Sequence, residues 1–273
     1  MASQIFGPLE GSGLNFMNFS GKTLAERYED FNHWGTLREE NNLWPFGMIN
    51  DNRRPLNFGT QDYLGLSVNK EVIGSLKDFI ENNQIIHSAG SPTLTGRTIW
   101  TSELEDKIAA RLSQKTALIF PSGWMACFGA VAGLTNGKDT IVIDSLTHNC
   151  MQVAAKYSTK NLFKFRHNDM VHLDETLDKC RKADDMNGLF IVTESLFSMN
   201  SDSPDLRRLM ELAHKYEAIV IIDTAHDFGV LGKKGLGALE TIDIQYSKNL
   251  VICGAFSKAF GTNGGFVAGP AEI

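Results

Sequence analysis

From residue 117 to residue 254 the chain alternates short apolar runs with amphipathic segments, and few architectures accept that rhythm. The runs Ala117–Phe120, Thr140–Asp144, Asn161–Phe165, Gly188–Thr193, Ala218–Asp223 and Leu250–Gly254 are bounded by turn residues, as buried strands are. Between them, "SELEDKIAARLSQ" (102–114) places apolar residues at 104, 108, 109 and 112. "SPDLRRLMELAHKYE" (203–217) opens with Ser203 as the expected N-cap and Pro204 at the first helical position. Strand and helix in alternation predict an α/β domain with a mostly parallel central sheet flanked by helices. Residues 1–56 lack the rhythm. Phe31, Trp34, Trp44 and Phe46 are scattered there, "RYEDFNHWGTLREENNLW" reads as an amphipathic helix, and Pro45 and Pro55 break the chain beyond it. The expected organisation is an N-terminal arm, 1–56, on a large domain, 57–273.

Several function classes are disfavoured at once. The formal net charge of -6 argues against general affinity for nucleic acid or anionic membrane. No apolar run approaches the ~20 residues of a membrane span. "MASQIFGPLEGSG" has no basic segment leading into an apolar one, so a cytoplasmic protein is expected. Cys127, Cys150, Cys180 and Cys253 form no CxxC pair and read as reduced, mostly buried thiols. The seven histidines include no HExxH, and no metal site is expected.

Parallel sheets bind ligands at the carboxyl ends of their strands, so the residues after each run carry the functional argument. Pro121-Ser122-Gly123 opens a helix whose free amides at Gly123 and Trp124 suit an anion. His148 follows the second run, as a cap or as a flat ring for a planar ligand. Ser198 and Asn200 follow the fourth and ordinarily only shape a turn. Asp223 ends four consecutive apolar residues, where an unpaired carboxylate is unfavourable, and His226 lies three residues on. Lys258 follows the last run, within "GAFSKAFGTNGG". Pyridoxal phosphate uses all of these together: an amine for a Schiff base (Lys258), an anion beside the ring nitrogen (Asp223), a phosphate cradle (Gly123, Trp124, Ser257) and a stacked ring (His148).

With those residues in view, the chain resembles the α-oxoamine synthases, fold-type I pyridoxal phosphate enzymes. The stretches that carry the resemblance are "DYLGL" (62–66), "LTG" (94–96), "LE" (104–105), "PSGWMA" (121–126), "HND" (167–169), "FSMNSD" (197–202), "IIDTAHDFGVLGKKGLG" (221–237) and "FSKAFGTNGG" (256–265). The resemblance implies that Lys258 forms the Schiff base and carries protons, that Asp223 pairs with the pyridine nitrogen, and that His148 stacks on the ring. His226 and Ser198 would contact the phenolic oxygen, and Gly123 and Trp124 the phosphate. It further implies condensation of an amino acid with an acyl-CoA thioester to give an α-amino ketone, with release of CoA and usually carbon dioxide, in a cytoplasmic homodimer. An aminotransferase, an aldolase or a non-catalytic partner subunit is the alternative.

The chain departs from the family pattern in places. Ala255 stands where many members have a phosphate-binding threonine. Gln61, the expected contact to the amino-acid carboxylate, stands where many have asparagine. Ala126-Cys127-Phe128 replaces the usual "SAN" or "AAN", and the arginine usual near "GSxxSR" is missing from "GSPTLTGR". Members also continue into a small C-terminal domain with a carboxylate-binding arginine, so residues 1–273 are expected not to turn over alone.

Overall fold

A computed structural model describes residues 21–40, 59–242 and 247–273. The chain forms two compact units, Met1–Phe58 and Gly59–Ile273. In the first, α1 (Leu24–Glu40) covers much of the helix expected there. Thr23 and Glu26 cap it reciprocally: the Thr23 amide donates to Glu26 Oε2 at 2.6 Å, and the Glu26 amide donates to Thr23 Oγ1 at 3.4 Å. The remaining positions assigned to the arm, Trp44 and Phe46 among them, lie outside the described residues.

The second unit opens with a 3-10 turn (Leu66–Val68) and α2 (Lys70–Asn83), α3 (Ile99–Arg111), β1 (Thr116–Phe120) and α4 (Gly123–Leu134). Then follow β2 (Thr140–Asp144), α5 (Asn149–Ser158), β3 (Asn161–Phe165), α6 (Met170–Ala183) and β4 (Leu189–Glu194). Last come α7 (Leu206–Lys215), β5 (Ile219–Asp223), a 3-10 turn (Ala238–Ile242), β6 (Leu250–Ala255) and β7 (Gly265–Gly269). Each expected strand is present within one residue at either end. The N-cap of α7 is Asp205 rather than Ser203: its carboxylate accepts from the Arg208 amide at 3.0 Å, which leaves Ser203 and Pro204 outside the helix.

The seven strands form one sheet in the order β1-β7-β6-β5-β4-β2-β3. β7 runs antiparallel to both its neighbours, and the other pairings are parallel. The inner strands β2, β4, β5, β6 and β7 are buried on both faces, so they read as continuous apolar runs, whereas the edge strands β1 and β3 are partly exposed. Alternate residues feed two cores. On one face Val142, Ile191, Ile222 and Ile252 pack with Leu173 and Leu177 of α6 and Leu209 and Leu212 of α7. On the other, Ile143, Val192, Ile221 and Val251 pack with Ala126, Ala130 and Val131 of α4 and Met151 and Ala154 of α5.

Two glycines seat α4 against the sheet. A Cβ on Gly265 would fall 2.7 Å from the Gly123 Cα, and one on Gly123 would fall 2.5 Å from the Ala255 Cβ. Only bare backbone fits at that crossing, and the helix start is thereby pressed against the ends of β6 and β7.

Candidate active site

The carboxyl ends of β2, β4, β5 and β6 and the first turn of α4 enclose a cavity of about 190 Å³. Lys258 enters it from the turn after β6, which is closed by Gly261 N–H donating to Lys258 O at 3.0 Å and Thr262 N–H donating to Phe256 O at 3.1 Å. The side chain is half-buried, and its Nζ has no hydrogen-bond or ion-pair partner among the described residues. An ammonium so placed lacks the pairing that buried charges require.

Asp223 ends β5 and is buried. Oδ1 accepts the Ala225 amide at 2.9 Å, and the other oxygen has no donor among the described residues. Glu194 is its direct register partner on β4, so two carboxylates stand side by side at the cavity floor. Glu194 Oε1 accepts the His148 amide at 2.6 Å. Burial first, and the Asp223 charge second, push the Glu194 carboxyl up to about 8. At neutral pH it is mostly the protonated member of the pair.

His148 lines the cavity as the N-cap of α5; its Nδ1 accepts from the Cys150 amide at 3.3 Å. His226 lines the wall beyond Asp223, with Nδ1 2.8 Å from Tyr63 Oη. Burial and then the Lys258 charge drive the His226 imidazolium down to about 4, so the ring is neutral near pH 7 and its Nδ1 accepts the phenol proton. At the head of α4, Ser122 Oγ takes the Met125 amide at 3.2 Å. That leaves the Gly123 and Trp124 amides without an intrahelical acceptor.

The fold thus brings Lys258, Asp223, His148, His226, Gly123, Trp124 and Ser257 to one cavity. It does not bring Ser198 or Gln61. Ser198 is exposed in a turn closed by Phe197 N–H donating to Asp202 O and Ser201 N–H donating to Phe197 O. Gln61 is exposed, its carbonyl accepting the Tyr63 amide at 2.8 Å. Glu194, Tyr63, Cys127 and Cys150 belong to the site and its rim, beyond the residues that the sequence points to. Glu194 carries a usable signal, because it directly follows the apolar run that ends at Thr193. Tyr63 sits within "DYLGL" with nothing local to point at His226.

Residues 53–273 match the family "Aminotransferase class I and II", and the chain belongs to that family. A curated relative from Methanococcus aeolicus, named "Putative 8-amino-7-oxononanoate synthase", is 36% identical over 240 residues, covering 86% of this chain and 61% of that protein. A structure described as serine palmitoyltransferase with a pyridoxal phosphate internal aldimine is 28% identical, with TM-score 0.70 over 77% of this chain and 52% of that one. An 8-amino-7-oxononanoate synthase structure from Francisella tularensis is 27% identical, with TM-score 0.65 over 79% of this chain and 58% of that one. The chain spans between about half and three-fifths of the length of the curated relatives it matches. Among the described residues no helix is long and apolar enough to cross a membrane.

Proposed function

We propose that this chain is the cofactor-binding part of a pyridoxal phosphate-dependent C-acyltransferase, which condenses an amino acid with an acyl-CoA thioester and releases CoA and usually carbon dioxide. One observation carries the reading: an amine (Lys258) and a carboxylate oxygen (Asp223), neither satisfied by the described residues, line one cavity beside a helix N-terminus. The bare backbone crossing at Gly123 and Gly265 keeps that helix end open to a phosphate. These are the three attachments the cofactor needs, and the relatives' names agree with it.

When bound, pyridoxal phosphate supplies an aldehyde for amines and a ring that accepts the electron pair of a bond broken at an amino acid's α-carbon. Lys258 would hold the aldehyde carbon, and its amine is placed to carry a proton at the substrate's α-carbon. Asp223 holds the proton on the ring nitrogen. The Gly123 and Trp124 amides, with Ser257, hold the phosphate. Ala255 offers no hydroxyl there, so backbone donors carry more of that task. His226, with its hydrogen on Nε2, would donate to the phenolic oxygen, and His148 would pack on the ring. Trp124 and Met125 leave large apolar area exposed beside the site, which favours a homodimer covering it. Four free, buried cysteines suit a reducing cytoplasm.

The test is the absorbance of the chain with added pyridoxal phosphate, beside Lys258→Ala. A band in the wild type that the variant lacks supports the reading; a band indifferent to the substitution overturns it. CoA release dependent on an amino acid would then separate condensation from transamination, which releases none.

A further inference from the structure

Cys127, Cys150 and Asp223 come from three different elements: the second turn of α4, the first turn of α5 and the end of β5. Their ligand atoms, two Sγ and one carboxylate oxygen, lie within 4.8 Å of one another. The two cysteines are each 1% exposed and Asp223 is 6% exposed, and all three line the cavity. His148 Nδ1 lies 2.9 Å from Cys150 Sγ and accepts the Cys150 amide, so its ring orients that thiol from outside the group. Spacing along the chain gives no hint of this group; the packing of α4 on α5 above the end of β5 creates it.

Two thiols and a carboxylate form a mixed set that zinc takes with a water in the fourth position, and that magnesium or calcium does not favour. Zinc–sulfur bonds of about 2.3 Å place neighbouring ligand atoms roughly 3.5–4 Å apart, so the group needs only a small contraction. Asp223 has an oxygen free to ligate, and the cavity gives the ion a way in.

We propose that Cys127, Cys150 and Asp223, assisted by His148, form a binding site for a thiophilic divalent cation such as Zn²⁺, and that its occupation and that of the cofactor exclude each other. The ion exchanges bound waters for two thiolates and a carboxylate, and two thiol protons leave to solvent; nothing is oxidised or reduced. Binding strengthens as pH rises, because those protons must leave. A cation bonded to Asp223 removes the negative charge proposed to hold the protonated ring nitrogen. The chain would then sense free zinc through competition at one carboxylate. The metal set stands on its own residues; the competition rests on the cofactor reading above.

The experiment is titration of the metal-free, reduced chain with Co²⁺ and then Zn²⁺. One equivalent of Co²⁺ is expected to give a thiolate charge-transfer band in the near ultraviolet, which Zn²⁺ bleaches. Cys127→Ala and Cys150→Ala should each weaken binding by at least about 10-fold, because each removes a direct ligand and loss of even an outer-shell partner costs that much. Cys180→Ala, a buried thiol on α6 away from this wall, should retain it, and circular dichroism reports whether each variant folds. Absence of the band from wild type, or its survival in a folded Cys127→Ala/Cys150→Ala chain, overturns the site. Added pyridoxal phosphate should raise the apparent Zn²⁺ dissociation constant while inorganic phosphate does not. If the cofactor binds and zinc affinity is unmoved, the exclusion is wrong. A chain that binds zinc but shows no cofactor band fails the proposed function and leaves the metal site standing.

Discussion

Tyr63 Oη lies 2.8 Å from His226 Nδ1, joining the "DYLGL" segment to the turn after β5 across 163 residues of sequence. Burial raises the Tyr63 phenol above its ordinary value, and the imidazole is held neutral, so Tyr63 is the donor. The contact fixes the tautomer: the His226 hydrogen sits on Nε2. Tyr63→Phe removes the donor and leaves the ring free to flip or exchange tautomers. A neutral hydrogen bond contributes ~1 kcal/mol, so pyridoxal phosphate affinity should fall roughly fivefold and the pH titration of its absorbance should shift. An unchanged spectrum and affinity would show that Tyr63 is mere packing.

Glu194 makes the apo chain pH-sensitive. An unfolded Glu194 titrates near 4.5, whereas the folded one titrates at about 8. Between those values the native state holds a proton that the unfolded state has released. Its stability therefore falls as pH rises through that window and levels off above it. Glu194→Gln keeps an acceptor for the His148 amide and has no proton to lose. Urea unfolding should show the variant gaining on wild type by a few kcal/mol between pH 5 and pH 8.5; parallel curves would refute the assignment.

His167 bridges two carboxylates, with Nδ1 2.9 Å from Asp144 Oδ1 and Nε2 3.0 Å from Asp202 Oδ2. Burial works against the charged ring, but Asp144 and then Asp202 outweigh it and raise its pKa. The stabilisation is full below the unfolded value and is lost as pH rises through the folded one. His167→Gln should cost about 1–2 kcal/mol at pH 5.5 and less at pH 9. A pH-independent cost in denaturant unfolding would mean the ring only packs on Phe197, which it meets edge-on at 4.4 Å.

The Gly123 crossing predicts a suppressor. Gly123→Ala puts a methyl 2.5 Å from the Ala255 Cβ. Overpacking of that kind costs ~1–3 kcal/mol, and it displaces the helix start offered to phosphate. Adding Ala255→Gly should recover much of the stability and cofactor binding. Additive losses in the double variant would contradict the packing.

The inner strands are legible in the sequence because a parallel strand covered on both faces has to be apolar along its whole length, and its ends then show within a residue. The same property points to Asp223 and Lys258, which interrupt or follow such runs. It applies equally to Glu194, but an apolar run that ends at Thr193 leaves that carboxylate just outside the strand, where its burial does not show. The α7 cap differs from expectation because Ser203 and Asp205 both have capping chemistry, and only geometry shows which oxygen reaches an amide. Ser198 looks as suitable as His148, yet its turn closes on itself away from the cavity. Tyr63 with His226, and Cys127 with Cys150, are meetings of distant segments that no local pattern encodes.

β7 lies between β1 and β6 although it is the last strand of the sheet. During synthesis, β1 therefore emerges at Phe120 and stays without a hydrogen-bonding neighbour until Gly265 has left the ribosome. The Gly123 crossing waits with it, because half of that crossing is Gly265. The nascent chain cannot assemble its phosphate cradle early. Until then the open edges of β1 and β6 are both available for wrong pairing, a hazard that a chaperone holding the chain would remove.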